Sequence, residues 1–328
     1  MELRTLGNTA VQVSCLGFGG GAFAGLLVRG TPQQQKAAVK RAIEGGLTYF
    51  DTAAQYGDGL SEQSLGNALA ALGATSQAVL GTKVRMTPEE LANPAPAIRA
   101  SLIDSLKRLQ RGYVDVFVQH NFPRSTTDSN GVLAEHLPAV AAAMRELQHE
   151  GLVRCIGLTG VGDTQCVLEA IRTGLFDFVQ CYYNALNPSA AYAGASGGGQ
   201  DFAGAIQVAR DLGVGAMAVR TMAGGALVAN DYRAPLAGPT GSGGGLGGNP
   251  YSKDLERAQR LRPIVEALGL ENALEFGVRF AISEPNVASA LVGFSDQDQI
   301  ESALRWADRG PLPPNAVAKA VELARLPN

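Results

Sequence analysis

Short hydrophobic runs alternate with longer amphipathic segments along most of the chain. Several of the short runs consist almost entirely of Val, Leu, Ile, Phe and Ala, which is typical of parallel strands covered by helices. The predicted strands comprise residues 15–19, 47–51, 78–83, 114–120, 155–159, 178–182, 214–219 and 288–292. This pattern predicts a largely parallel sheet.

Helix-length segments lie between and after these strands. They comprise residues 33–44, 61–72, 95–109, 137–150, 164–173, 204–211, 253–268, 272–282, 296–306 and 316–326. Pro263 lies inside one of them and predicts a break or kink there. Eight strands, each followed by a helix, favour an α/β fold with a single domain over residues 1–328, a (β/α)8 TIM barrel.

The opening segment has a different pattern. Residues 3–6 and 11–14 flank the turn sequence Gly7-Asn8-Thr9, which predicts a β-hairpin. Because it precedes the first barrel strand, we expect this N-terminal hairpin to close the bottom of the barrel.

Composition and charge narrow the classes of function. The chain has 328 residues, of which 46% are hydrophobic, and a net charge of −3. This balance shows no basic patch and argues against nucleic acid or an anionic membrane as partner. No stretch approaches the roughly 20 apolar residues of a transmembrane helix. The first residues lack the pattern of a signal peptide, so we expect a cytoplasmic protein.

Cysteine and histidine usage gives no sign of a metal or disulfide scaffold. Cys15, Cys155, Cys166 and Cys181 have no CxxC spacing, which favours reduced thiols in an intracellular protein. The three histidines do not cluster with them, so no metal site is predicted.

Two glycine-rich stretches, residues 194–199 and 238–248, follow predicted strands. They fall on the face where barrel active sites are built. A surface loop and an active-site lid are both compatible with this composition.

Four polar residues stand at or just beyond the ends of predicted strands. Asp51, Lys83 and His120 each end a hydrophobic run, and Tyr56 follows Asp51 in the next loop. Any one alone would be explained as a strand cap or a core histidine. Together, at the carboxyl ends of barrel strands, they predict a catalytic site.

The four side chains suit the reduction of a carbonyl by hydride. Such a reaction needs a proton donor, and tyrosine, with an ordinary pKa of about 10, needs a nearby cation to act near neutral pH. Lys83 supplies that cation and Asp51 holds it, while a neutral His120 orients the carbonyl oxygen. The hydride itself comes from a cofactor.

At these residues the sequence resembles the aldo-keto reductase superfamily, and the resemblance runs from the opening hairpin to the segment after the eighth strand. Asp51 and Tyr56 match its motif D-T-A-x-x-Y-G, Lys83 its T-K, and His120 its strand-ending histidine. The resemblance implies Tyr56 as general acid/base, and hydride transfer between NAD(P)H and aldehydes, ketones or sugars.

The resemblance also implies cofactor contacts at two strand ends. Gln180 matches the glutamine that hydrogen-bonds the nicotinamide carboxamide, and Thr159 matches a serine one strand earlier. Two positions depart from the family: Gly160 replaces an asparagine, and Val219 replaces an aromatic residue. The implied cofactor-binding residues are Thr159, Gln180, Arg220, Met222, Ala223, Gly224, Gly225, Leu227, Gly293, Ser295 and Gln299.

The loop at residues 222–227 resembles the one that binds the cofactor pyrophosphate through backbone N–H groups. Arg220 beside it either pairs with the pyrophosphate or is a solvated loop arginine. After the eighth strand, Asp296, Asp298 and Glu301 precede the first basic residue, Arg305. Carboxylates repel the 2′-phosphate of NADP(H), so these residues favour NAD(H). The family resemblance by itself implies NADP(H).

The substrate prediction is a small-molecule carbonyl or alcohol. Phe18, Phe122 and Tyr182 either rim the substrate site or are ordinary core residues. Little chain follows the last predicted helix, so we expect no long C-terminal substrate loop.

The sequence allows three other interpretations. Residues 17–22 match G-x-G-x-x-A, but no long helix or acidic residue follows at the required distance, so a Rossmann site is rejected and the glycines are assigned to the floor of the active site. A non-catalytic NAD(P)H-binding regulatory subunit, as in the potassium-channel β-subunit branch, is the alternative function, and the intact set of four residues weighs against it. An isomerase or lyase on this barrel is a third reading.

Overall fold

The computed structural model describes residues 1–126, 128–229, 233–239 and 249–326. Its strands are β1 (Leu3–Thr5), β2 (Gln12–Ser14), β3 (Leu16–Gly19), β4 (Tyr49–Asp51), β5 (Val79–Val84), β6 (Val114–Gln119), β7 (Phe122–Pro123), β8 (Gly131–Val132), β9 (Val153–Gly160), β10 (Phe178–Tyr182), β11 (Gly215–Val219) and β12 (Val287–Gly293). Strands β3, β4, β5, β6, β9, β10, β11 and β12 form a closed barrel in that order, with parallel neighbours. The predicted barrel is confirmed.

The predicted helices are also present and surround the barrel. The helices are α1 (Leu26–Arg29), α2 (Pro32–Glu44), α3 (Leu60–Leu72), α4 (Pro88–Leu91), α5 (Pro94–Leu109), α6 (Leu137–His149), α7 (Thr164–Arg172), α8 (Ala205–Asp211), α9 (Tyr251–Gln259), α10 (Arg262–Ala267), α11 (Ala273–Ile282), α12 (Gln297–Asp308) and α13 (Pro314–Arg325). Pro263 lies in the first turn of α10, where its missing N–H is tolerated, so the predicted break is confirmed. Among the described residues, no helix is both long and apolar enough to cross a membrane.

The N-terminal hairpin closes the bottom of the barrel, as predicted. Strands β1 and β2 pair antiparallel. Leu6, Val11 and Val13 form one buried cluster with side chains inside the barrel, including Tyr49. The Asn8 amide donates to the carbonyl of Gly213 at 3.1 Å, which ties the turn of the hairpin to the start of β11. The lower half of the barrel is therefore filled by side chains.

Two glycines make room for aromatic rings inside the barrel. A Cβ atom at Gly81 would lie 2.4 Å from the hydroxyl oxygen of Tyr49, and one at Gly157 would lie 2.2 Å from the ring of Phe178. Both rings are fully buried. The barrel interior can hold these rings only because the facing strands carry no side chain at these two positions.

Gly81→Ala should destabilise the protein by about 1–3 kcal/mol, because the added methyl group overpacks the interior against Tyr49. The urea unfolding midpoint measures this effect. Gly112→Ala is the matched control: nothing lies within 4 Å of its Cβ position, so its midpoint should stay or rise slightly. Adding Tyr49→Phe to Gly81→Ala should restore part of the loss, and no restoration would contradict this account.

The first glycine-rich stretch is held by hydrogen bonds. The Gly197 amide donates to the carbonyl of Ala324 in α13 at 2.8 Å, and its carbonyl accepts from Asn249 at 2.8 Å. The Gly194 amide donates to Asp201 at 2.9 Å. This stretch therefore packs against the last helix. Of the second stretch, Gly238 and Pro239 are within the described residues.

Candidate active site

A buried ion pair lies at the carboxyl end of the barrel. Asp51 ends β4, and Lys83 lies near the end of the neighbouring β5. Their side chains form a salt bridge between Lys83 Nζ and Asp51 Oδ2, with relative exposures of 1% and 5%. Lys83 Nζ also donates to the backbone carbonyl of Thr52 at 2.7 Å. The ammonium is thus fixed in position by two acceptors.

The surroundings keep Lys83 charged. Burial alone would lower the pKa of Lys83, but attraction to Asp51 and Tyr56 outweighs it and raises the pKa above its ordinary value. The other carboxylate oxygen, Asp51 Oδ1, accepts hydrogen bonds from Tyr49 Oη at 3.0 Å and from Gln180 Nε2 at 2.8 Å. These two donors satisfy the part of the carboxylate that Lys83 does not reach.

Tyr56 and His120 complete the predicted set. Lys83 Nζ lies 4.7 Å from the centre of the Tyr56 ring. The rings of Tyr56 and His120 meet edge to face, with centres 5.8 Å apart and planes at 81°. A Cβ at Gly21 would lie 3.9 Å from the Tyr56 ring, so the segment after β3 borders the site. All four residues are therefore together at one end of the barrel.

The imidazole of His120 is held in its neutral form. Burial lowers the pKa of His120 well below its ordinary value, and the charges of Lys83 and Arg85 lower it further. Nδ1 of His120 lies 3.3 Å from Oε1 of Gln55. With this oxygen facing it, Nδ1 carries the proton; with the Gln55 amide turned by 180°, Nδ1 accepts and Nε2 carries the proton. The orientation of the Gln55 amide therefore decides which imidazole nitrogen of His120 carries the proton.

We expect His120 to stay neutral at about pH 6, where an ordinary histidine with a pKa near 6.5 is mostly charged. Below about pH 6.5 the imidazole of His120 binds a proton in the unfolded chain but not in the native state. His120 therefore lowers the free energy of unfolding as the pH drops below that value. Long-range proton–nitrogen NMR of the imidazole reports both charge and tautomer, and His120→Asn assigns the signal. A protonated His120 at about pH 6 would contradict this account.

The family model described as the Aldo/keto reductase family matches residues 15–325. The chain belongs to the aldo/keto reductase family. It is therefore an NAD(P)H-dependent oxidoreductase that acts on carbonyl or alcohol groups of small molecules.

Two curated relatives and one solved structure extend this finding. The chain is 28% identical to L-galactose dehydrogenase of Arabidopsis thaliana, over 92% of this chain and 86% of that protein. It is 26% identical to Protein tas of Escherichia coli, over 92% of each. The aldo-keto reductase AKR11C1 from Bacillus halodurans, solved in its holo form, superposes with a TM-score of 0.75 at 22% identity, over 98% of this chain and 96% of that chain. The last comparison supports the fold.

In this aldo/keto reductase, two residues assigned to the nicotinamide already have protein partners. Gln180 donates from Nε2 to Asp51. Thr159 Oγ1 donates to the carbonyl of Gln119 at 3.0 Å. The departure at Gly160 has a steric cause: a Cβ there would lie 2.5 Å from Val179, so no asparagine fits without movement.

The loop after β11 has an unusual backbone. Arg220, Ala223, Gly224 and Gly225 all have positive φ, between 48° and 94°. Within this loop the amides of Ala223 and Gly225 donate to the carbonyls of Arg220 and Met222, each at 2.8 Å, so these two amides are already bound by the protein. The contact between this loop and a dinucleotide pyrophosphate stays a prediction from the resemblance. The guanidinium of Arg220 lies 4.8 Å from the centre of the Phe23 ring.

Three other members of the implied cofactor set lie in this loop or at the end of β12. Leu227 is 0% exposed, and a Cβ at Gly277 would lie 2.4 Å from its side chain, so Leu227 is enclosed by the protein. Gly293 ends β12 and is exposed. Met222, just before a 3₁₀ helix at Ala223–Val228, is partly buried against the core.

The segment after β12 uses its own side chains as caps. Asp296 accepts from the amide of Gln299 at 2.9 Å, and the Gln299 side chain accepts from the amide of Ser295 at 2.9 Å. The Ser295 hydroxyl donates to the carbonyl of Ala24 at 2.6 Å. Two amides around the start of α12, those of Ser295 and Gln299, are therefore already bound by side chains of this segment.

The predicted substrate residues separate into different environments. Phe18 does not face the site: Gly17 points into the barrel, so alternation turns Phe18 outward, where it is 1% exposed and stacks on Phe50. The core-packing alternative is correct for Phe18. Tyr182 is 2% exposed and stacks on Phe202 at 5.3 Å.

Phe122 lies beside the site. It forms β7, just beyond His120, and the guanidinium of Arg85 lies 5.5 Å from its ring centre. The structure adds three residues that the sequence did not single out: Tyr49 on Asp51, Gln55 on His120, and Arg85 above Lys83.

Proposed function

We propose that this aldo/keto reductase transfers a hydride between a nicotinamide cofactor and an aldehyde, ketone or sugar carbonyl, with Tyr56 as general acid/base. The observation that carries the proposal is the buried ammonium of Lys83, fixed by Asp51 and 4.7 Å from the centre of the Tyr56 ring. A phenol with an ordinary pKa of about 10 becomes a usable acid when a cation stabilises its phenolate.

In the direction of reduction, the Tyr56 hydroxyl gives its proton to the carbonyl oxygen, and Lys83 stabilises the phenolate left behind. In the direction of oxidation, the same phenolate takes the proton of the alcohol. When bound, the nicotinamide cofactor supplies or accepts the hydride. Gln180, Thr159 and the loop after β11 are the residues proposed to hold it.

His120 orients the carbonyl in this proposal. A neutral imidazole donates a single hydrogen bond to the carbonyl oxygen without competing with Tyr56 as an acid. This role requires the proton on Nε2, and hence the Gln55 amide group turned with its NH2 toward Nδ1. The low pKa of His120 supports the neutral form.

We expect the protein to prefer NADH to NADPH by about tenfold or more, which corresponds to ~1.4 kcal/mol. Asp296 and Asp298 would repel a 2′-phosphate, and Asp296 already occupies an amide at the start of α12. Fluorescence titration with both dinucleotides measures the preference, and Asp298→Asn should narrow it. A tenfold preference for NADPH would contradict the assignment.

Turnover tests the reaction itself. The purified protein is assayed for oxidation of NADH with a panel of aldehydes and ketones, and for reduction of NAD with aldoses, because one relative is an L-galactose dehydrogenase. Steady turnover of a carbonyl or aldose supports the proposal. Tight dinucleotide binding without turnover of any compound would instead indicate a cofactor-binding regulatory protein.

A further inference from the structure

A second cation lies close to the proposed reaction centre. Arg85 follows Lys83 by two residues at the end of β5, so its side chain starts on the same side of the strand, roughly 7 Å farther toward the barrel mouth. The charges of Arg85 and Tyr56 interact, and Arg85 also acts on His120. Arg85 therefore lies within electrostatic range of both residues that would contact a carbonyl.

Arg85 is poorly satisfied for a half-buried arginine. Its hydrogen bond within the described part of the chain runs from Nη1 to Asn130 Oδ1 at 3.0 Å. Nε is buried without a partner there, and none of the described carboxylates lies within 4 Å of the guanidinium. A guanidinium has five N–H donors, and leaving buried ones unpaired is costly.

The neighbouring Arg124 also has a buried Nε without a partner in the described part of the chain, and it differs from Arg85 in having a carboxylate. Both arginines lie over the ring of Phe122, at 5.5 Å for Arg85 and 5.8 Å for Arg124. Arg124 forms a salt bridge with Asp128 at 3.1 Å. The same aromatic ring thus carries one cation with its own carboxylate and one without.

We propose that Arg85 selects substrates that carry an anionic group, a carboxylate or a phosphate, at the end remote from the reacting carbonyl. The guanidinium binds such a group through paired N–H donors, which match two oxygens of a carboxylate or phosphate. Phe122 holds the guanidinium plane from one side. The backbone of Arg85 lies two residues, roughly 7 Å, beyond that of Lys83, so the proposal places the anionic group away from the reacting carbonyl rather than on the adjacent carbon.

This inference rests on the proposed function. Matched pairs of substrates distinguish a failure of the role of Arg85 from a failure of the proposed reaction. Succinic semialdehyde is compared with butanal, and glyceraldehyde phosphate with glyceraldehyde, each by kcat/KM for NADH oxidation. We expect the anionic member of at least one pair to be favoured about 10- to 100-fold. The first pair reports a preference for carboxylate and the second a preference for phosphate.

Variants assign the preference to Arg85. Arg85→Met should abolish the advantage of the anionic substrate, measured as the ratio of kcat/KM for the anionic and the neutral member of each pair. Arg85→Lys keeps the charge but not the paired donors, and should retain part of the advantage. Arg124→Met is the matched control, because Arg124 contacts the same ring but has its own carboxylate, and it should keep the full preference.

The outcomes are distinct. Turnover of butanal and glyceraldehyde with no advantage for either anionic partner overturns the role of Arg85 and leaves the proposed reaction intact. No turnover of any aldehyde, ketone or aldose with either dinucleotide overturns the reaction itself. An anionic preference that survives Arg85→Met also overturns this inference. The comparison within the wild-type protein needs no variant, so it holds even where a variant fails to fold.

Discussion

Tyr56→Phe is expected to lower kcat for carbonyl reduction by about 100- to 10,000-fold. The substitution removes the one hydroxyl proposed to exchange a proton with the carbonyl oxygen. It keeps the ring, and with it the edge-to-face contact with His120 at 5.8 Å and the position over Lys83. Dinucleotide affinity should therefore stay unchanged. Steady-state kinetics and fluorescence titration measure the two quantities.

Tyr113→Phe is the control for this substitution. Tyr113 is 36% exposed and packs under Arg111, away from the proposed reaction centre, so loss of its hydroxyl should leave kcat unchanged. Activity of Tyr56→Phe within a few-fold of wild type would eliminate Tyr56 as the acid/base and with it the proposed mechanism.

Lys83→Met is expected to remove activity and to destabilise the fold by about 3–5 kcal/mol. Methionine has a similar volume, but it leaves the carboxylate of Asp51 buried without its cation. Removing one charge of a buried ion pair lowers the free energy of unfolding far more than removing both charges, because the remaining charge is uncompensated. Urea unfolding and kcat are the two measurements.

A double variant and an exposed pair give the controls. Asp51→Asn combined with Lys83→Met removes both charges and should recover much of the stability but none of the activity. Lys40→Met breaks an exposed pair with Glu44 and should cost about 0.5 kcal/mol or less. Equal stability losses for Lys83→Met and Lys40→Met would contradict the description of the site.

The barrel and its four polar residues could be predicted because they depend on local pattern. Parallel strands appear as continuous hydrophobic runs, and their carboxyl ends meet on one face, so Asp51, Lys83 and His120 had to converge there once the strands were assigned. The hairpin was predictable for the same reason, since its turn residues lie between two short apolar runs.

The remaining features depend on side-chain directions between elements distant in the chain. Gln180 reaches across the barrel from β10 to Asp51 on β4, a contact that no local pattern reveals. Phe18 was assigned to the substrate rim because it is aromatic, yet the alternation of a four-residue strand turns it into the core. Arg85 could not be singled out from the sequence, because its lack of a carboxylate partner among the described residues is visible only in three dimensions.

The hairpin that closes the barrel has a consequence for biosynthesis. The hairpin residues are synthesised first. Their partners are synthesised late, because Asn8 binds Gly213 and Arg4 donates to the carbonyl of Val287 at 2.8 Å. During translation the hairpin has none of these partners until most of the chain has been synthesised. A nascent chain that stops before Gly213 lacks β11 and β12 as well as the carbonyls that hold the hairpin, so neither the closed barrel nor its floor can form. The chemical environment of the site is thus completed only near the end of synthesis.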